Sequence, residues 1–250
     1  MGDLFFEIIQ MMGMRGYNVL PFNFLINNKI MNNRYKECGE LDKVREISDN
    51  ELLQSLMSYR EANFQLDRNL FGFEKMGFSM VFDHCSNGMR TLVLIANDIK
   101  GITSKDTLVD FITNFLKVVV SQKTGGKSSD PLLRDNKVSA IFVLPGGISP
   151  FSKTFVDKFT LIEIITEDDI KSRVYDSVLQ SHYKTIPLEE KNMILSEVGL
   201  NSTNIPSISK DNDTACKILG LKKKDLLVAT RTKISSEETL DRSVFFREIK

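Results

Sequence analysis

Two largely apolar runs constrain the fold more than anything else in this chain: Thr91-Leu92-Val93-Leu94-Ile95-Ala96 and Val138-Ser139-Ala140-Ile141-Phe142-Val143-Leu144. Both are strand-length, and turn signals follow or precede them, so each reads as a buried strand. Between them, Leu108, Phe111, Ile112, Phe115, Leu116 and Val119 recur at helical spacing behind an opening at Ser104 to Asp106. Phe78 to Phe82 is a third, short strand, joined to the first run by the turn-rich Asp83 to Gly88. After Pro145-Gly146-Gly147, Ser149 to Phe159 is expected as a short helix and Thr160 to Ile165 as a strand. Strands alternating with helices make an α/β fold. The polar stretch 121–137 is expected as a loop.

The chain opens with a helix. Leu4, Phe5, Ile8, Ile9 and Met12 share one face, Asp3 stands in position to cap the first turn, and Gly13 and Gly16 flank the end. Val19 to Ile26 is apolar without a clear period. A further helix is expected over Asn50 to Phe64, where Leu52, Leu53, Leu56 and Met57 cluster.

After Thr166 the pattern changes. Glu167-Asp168-Asp169 is acidic and the segment to Tyr183 is charged and expected to be partly helical; the domain boundary is placed there, giving 1–166 and 167–250. Pro187 begins a helix over Leu188 to Val198 that Gly199 stops. Ile205-Pro206-Ser207-Ile208 is extended, because proline disfavours the helical conformation in the residue before it. A short helix runs from Asp213 to Leu219. Gly220 ends it in a left-handed conformation, so Gly220→Val should unravel this small domain. Leu226 to Arg231 and Ser243 to Arg247 are two strands joined by a polar loop. The second domain is thus a small mixed α+β unit, whose limited core gains from burial against a partner.

Composition narrows the function. Lys plus Arg and Asp plus Glu both number 33, whereas a free-standing DNA binder carries a basic excess. The three cysteines, Cys38, Cys85 and Cys216, are far apart and include no C-x-x-C pair, so they read as buried thiols rather than zinc ligands or a disulfide framework. His84 and His182 are the two histidines and read as turn or surface residues. No apolar run reaches the roughly 20 residues of a membrane-spanning helix. Gly126-Lys127-Ser128 resembles the end of a phosphate-binding loop, but Ser121 occupies the position where that motif needs its first glycine. Nothing in the sequence calls for a cofactor, a metal or a small-molecule substrate.

The order of motifs in the second domain carries a family resemblance. Glu189-Glu190-Lys191 precedes Ile205-Pro206-Ser207-Ile208. Asp213, then Gly220-Leu221-Lys222, then a strand ending in Arg231, then a last strand with Phe246-Arg247 follow in turn. This order resembles the assembly domain of the fifth-largest subunit shared by nuclear RNA polymerases I, II and III. A smaller archaeal polymerase subunit of the same family consists of this domain alone. Met14-Arg15-Gly16-Tyr17 after the opening helix is similar to that family's R-G-Y. Three positions depart from the family pattern: Thr214 follows Asp213 in place of proline, Lys224 stands in place of glycine, and the last position of a V-P-x-H segment falls on either His182 or Tyr183. The stretches 121–137 and 171–181 look like insertions. This divergence points to a large DNA virus or a fast-evolving lineage, and so to the nucleus if cellular, or to the virion and the host nucleus or cytoplasm if viral.

The resemblance implies a fold and a set of roles. The first domain would be a three-layer, restriction-endonuclease-like jaw near downstream double-stranded DNA. The second would dock on the largest polymerase subunit, with other polymerase subunits as further partners and the chemistry left to the large chains. Arg15, Gly16, Tyr17, Pro206, Asp213, Gly220, Lys222, Arg231 and Arg247 are the family-motif and docking candidates. Lys100, Lys105, Lys123, Lys127 and Arg134 are candidates for DNA-backbone contact on charge alone. Two alternatives stand beside this reading. One is a nuclease-fold enzyme, which would need Glu-x-Lys on a strand to hold a divalent metal; the first 165 residues contain none. The other is a free-standing transcription adaptor.

Overall fold

The computed structural model describes residues 2–45, 47–48, 51, 54–55, 77–96, 138–147, 150–159, 161–172, 182–186, 188–199, 204–210, 212–234 and 240–250. The chain divides into two compact units, Met1–Lys171 and Ser172–Lys250.

In the first unit, α1 (Gly2–Met14) buries Leu4, Phe5, Ile8, Ile9, Met11 and Met12, a face wider than a surface helix presents. Asp3 lies in the first turn, where its charge suits the helix N-terminus, and pairs with Lys29. The helix stops in a paired-bond cap: Gly16 N–H donates to the Gly13 carbonyl and Tyr17 N–H to the Met12 carbonyl, with Gly16 at φ 86°. The ambiguous Val19 to Ile26 stretch becomes a 3₁₀ turn, Leu20–Phe22, leading into α2 (Asn23–Glu37). No helical period announces α2, because it is asparagine-rich and buries few side chains. One of them, Asn32, exchanges two hydrogen bonds with the Arg45 backbone, 2.8 and 3.0 Å, in place of apolar packing.

The sheet of this unit has strands β1 (Gly77–Asp83), β2 (Arg90–Ala96), β3 (Val138–Leu144) and β4 (Ile162–Thr166), in that spatial order. β1 is antiparallel to β2, with Phe78 opposite Ile95; β2, β3 and β4 are parallel, with Leu92 beside Ala140 and Ala140 beside Ile162. Parallel strands are covered on both faces, which is why β2 and β3 are apolar at nearly every position. α3 (Pro150–Val156) connects β3 to β4. The expected helices over 104–119 and most of 50–64, and the loop 121–137, lie outside the described residues.

The division falls after Lys171, not after Thr166. The acidic segment forms α4 (Glu167–Lys171), which packs on α1 and buries Ile170 completely. Thr166 caps it: its hydroxyl accepts from Asp169 N–H at 3.1 Å and donates to the Asp169 carboxylate at 2.9 Å. Glu167 to Asp169 form the acidic first turn of that helix, in keeping with the partly helical segment expected there.

The second unit is a mixed four-stranded sheet of β5 (His182–Ile186), β6 (Ser207–Ile208), β7 (Leu226–Ile234) and β8 (Leu240–Ile249), in the spatial order β5-β7-β8-β6. Two helices accompany it, α5 (Leu188–Glu197) and α6 (Thr214–Ile218). β7 is antiparallel to both its neighbours and β6 runs parallel to β8. Leu226 and Leu227 are adjacent and both fully buried, so the sheet is covered on both faces. Leu226 joins Leu195 of α5 and Ile205; Leu227 joins Cys216 of α6, Leu221 and Ile249. The β7–β8 hairpin is longer than expected. β7 continues past Arg231 to Ile234, and Lys233 stands opposite Asp241 in the ladder.

Candidate functional site

Four of the family-motif residues of the second unit, Pro206, Asp213, Gly220 and Lys222, lie on the segments that meet at the β6, α6 and α6–β7 turn end of the sheet, whereas Arg231 lies further along β7. Asp213 is the N-cap of α6, its Oδ1 accepting from Cys216 N–H at 2.8 Å. Its Oδ2 accepts from the Tyr183 hydroxyl at 3.3 Å, tying α6 to β5. Between the two candidates for the V-P-x-H position, Tyr183 makes this contact while His182 is exposed. The Pro206 carbonyl accepts from Glu248 N–H at 3.0 Å, which starts the β6–β8 ladder.

α6 ends in the same paired-bond cap as α1. Gly220 N–H donates to the Lys217 carbonyl and Leu221 N–H to the Cys216 carbonyl, with Gly220 at φ 65°. The left-handed conformation expected at Gly220 is the observed one. The Leu221 and Cys216 side chains then meet in the core, the apolar contact that accompanies such caps. Burial pushes the Cys216 thiol up to about 12, with the Asp213 carboxylate adding to the effect. Cys216 is therefore an inert core thiol, whereas Cys38 and Cys85 are exposed, contrary to their expected burial.

The turn that follows holds Lys222, Lys223 and Lys224, all exposed. Lys222 N–H donates to Asp225 Oδ2 at 2.7 Å. Lys224 has φ 74° and is the one non-glycine residue with positive φ among the described residues. A positive φ is the conformation that glycine fits best, and here a lysine adopts it. Its N–H donates to the Ile249 carbonyl at 2.8 Å and its carbonyl accepts from Lys191 Nζ at 2.8 Å.

Lys191 is the residue that sequence reasoning misses. Composition places it on a charged helix face, yet it is 7% exposed and its ammonium also meets Glu248 Oε1 at 2.6 Å. The one signal is spacing. Lys191 lies one helical turn before the buried Leu195, on the core-facing stripe. With that role Lys191 is a structural clamp, and Glu189-Glu190-Lys191 lies on a helix rather than on the strand where a nuclease carries its Glu-x-Lys.

Arg231 sits within the β7 ladder opposite Ser243. Arg247 on β8 donates from Nη1 to the Phe246 carbonyl at 2.9 Å, and its guanidinium lies 5.4 Å from the centre of the Phe245 ring. Val244 and Phe245 beside it are 55% and 39% exposed.

Arg15, Gly16 and Tyr17 belong to the first unit and act inside it. The Arg15 guanidinium reaches Glu163 of β4 at 2.7 Å. The Tyr17 hydroxyl accepts from Thr91 Oγ1 at 2.7 Å, and Thr91 also meets Ser139 Oγ at 2.6 Å. The Tyr17 ring stacks edge-on against His84 at 4.9 Å, and the Gly16 carbonyl accepts from Cys85 N–H. A Cβ on Gly16 would come within 3.2 Å of the His84 ring. These three residues fasten the end of α1 to β2, β4 and the β1–β2 turn, a structural use of the R-G-Y motif. Lys100, Lys105, Lys123, Lys127 and Arg134 lie outside the described residues. No helix among the described residues is long and apolar enough to cross a membrane.

A search of curated proteins found no match to this chain. Residues 172–249 match the family model described as RNA polymerase Rpb5, C-terminal domain. The match begins where the second compact unit begins and takes in the capped helix, the lysine turn and the terminal hairpin. Residues 172–249 are thus similar to the C-terminal domain of RNA polymerase Rpb5, and that likeness covers the second compact unit.

Proposed function

We propose that the chain is a non-catalytic subunit of a multi-subunit DNA-dependent RNA polymerase, docked on the largest subunit through its second unit. The observation that carries this reading is the coincidence of the family match with a separately compact unit whose terminal hairpin leaves Val244 and Phe245 exposed. Exposed apolar side chains flanked by charge mark a surface that another protein covers.

The first unit, in this reading, is a jaw domain of the three-layer, restriction-endonuclease-like class that guides downstream duplex. A chain of zero net charge binds DNA weakly by itself, so contact with the duplex depends on the assembled enzyme. Nucleotide addition and its magnesium belong to other chains. The enzyme works in the nucleus, or in the virion and host cell if the gene is viral. Sedimentation of a lysate through a glycerol gradient tests the proposal. The chain should travel with the promoter-independent RNA-synthesising fractions; travel at the size of a free protein would favour the adaptor alternative.

A further inference from the structure

We propose that Asn87-Gly88, in the β1–β2 turn, is a site of self-modification: the native chain cyclises there to a succinimide and opens to a β-linked aspartate. The inference stands apart from the polymerase reading and does not rest on it.

Asn87-Gly88 is the one Asn-Gly pair in the sequence, and both residues are exposed. Met89 N–H donates to Asn87 Oδ1 at 2.9 Å. That bond folds the carboxamide back over the peptide it spans and so brings Cγ toward the Gly88 nitrogen. The same donor stabilises the negative charge that grows on Oδ1 when Cγ is attacked. Gly88 N–H donates to no protein acceptor among the described residues, so its proton is open to solvent base. Gly88 has φ 65° and no side chain to shield that nitrogen.

The reaction balances with water and hydroxide alone. The Gly88 nitrogen gives its proton to hydroxide and forms a bond to Asn87 Cγ. The tetrahedral carbon expels the side-chain nitrogen, which leaves as ammonia, and a cyclic imide remains. Water opens the imide at either carbonyl, giving an ordinary aspartyl link or a β-linked one whose main chain is longer by a methylene.

Asn18 is a control within the same chain. Leu20 N–H donates to Asn18 Oδ1 at 3.1 Å, so an exposed asparagine makes the same turn. There the attacking nitrogen belongs to Val19, whose β-branched side chain crowds it. Modification at Asn87 has a structural consequence. His84 N–H donates to the Met89 carbonyl at 2.7 Å and Cys85 N–H to the Gly16 carbonyl at 3.0 Å. A longer main chain between His84 and Met89 strains this closure and loosens the fastening of α1 to the turn.

The test incubates the purified full chain in buffer and follows the tryptic peptide 76–90 by mass spectrometry, with an isoaspartyl methyltransferase labelling the β-linked product. Asn87 should gain about 1 Da as ammonia is lost and water added. The gain should run about tenfold faster at one pH unit higher, and about tenfold or more faster than at Asn18. Asn87→Ser should abolish the methyl label. Gly88→Ala should slow the gain by about tenfold, with melting curves establishing that it is folded. If Gly88→Ala does not fold, Asn87→Ser and the Asn18 comparison decide. No gain at Asn87 in the native chain, a rate equal to that at Asn18, or a label that survives Asn87→Ser would overturn the assignment. A gain confined to chain unfolded in urea would overturn it too, because the turn would then shield the site.

Discussion

The Lys191 ammonium lies 2.6 Å from Glu248 and 2.8 Å from the Lys224 carbonyl, so one buried cation joins α5, the last strand and a left-handed turn. Glu248 in turn donates its N–H to Pro206, and Lys224 donates its N–H to Ile249. Three of the segments that carry the family resemblance are thus held at one point. Lys191→Met would leave a carboxylate and a carbonyl without their donor, at a cost of about 3 kcal/mol or more. Thermal unfolding should show this as a fall of roughly 10 °C or more. Lys191→Met with Glu248→Leu should recover much of the loss; equal destabilisation of the single and double variants would show that the pair is not coupled.

Lys224 predicts a gain. A side chain at φ 74° costs about 1 kcal/mol relative to glycine, and the greater entropy of glycine in the unfolded chain offsets part of that. Lys224→Gly should therefore raise stability in chemical denaturation by up to about 1 kcal/mol, and Lys224→Val should lower it. Gly220→Val, at φ 65° in a cap with two bonds, should cost more than about 1 kcal/mol. An unchanged midpoint for Gly220→Val would contradict the placement of that cap.

Asp213 is bound from two sides, by Cys216 N–H and by the Tyr183 hydroxyl. Asp213→Ala removes the cap at about 1 kcal/mol and the Tyr183 contact besides. Asp213→Asn keeps an oxygen for the helix and should cost markedly less. Chemical denaturation of the two variants side by side separates them.

Thiol chemistry gives a further check. Cys38 and Cys85 are exposed and should alkylate readily at pH 8, while Cys216 should resist until the chain unfolds. With the folded thiol raised to about 12, unfolding exposes a more acidic group. The stability that Cys216 contributes is complete below the unfolded thiol's range, near pH 8.5, and is lost as pH climbs toward 12. Replacing Cys216 with Ala should flatten that alkaline decline.

Much of this architecture is legible in the sequence where one physical cause dominates. β2 and β3 are buried on both faces, so hydrophobic content alone marks them. Gly220 is legible because a left-handed helix stop leaves few other choices. α2 is not, since its few buried positions are spread among asparagines, and a buried Asn32 that bonds a backbone carries no apolar signal. The helix in 167–171 is legible as partial helix in a charged segment, but its packing on α1 is not, since one buried Ile170 among acids carries little apolar signal. Arg15 and Tyr17 resemble docking residues because long, polar side chains serve surfaces and internal staples equally; only their contacts with Glu163 and Thr91 tell which. Lys191 is hidden by the rule that lysine is seldom buried, which holds until the charge finds a partner.

The most direct test of the central claim is quantitative mass spectrometry of complexes recovered through a tag on this chain in its own host. The account predicts the two largest polymerase subunits in equimolar amounts with the chain, and their retention through a high-salt wash. Recovery of the chain alone, or with partners that include neither large subunit, would contradict it.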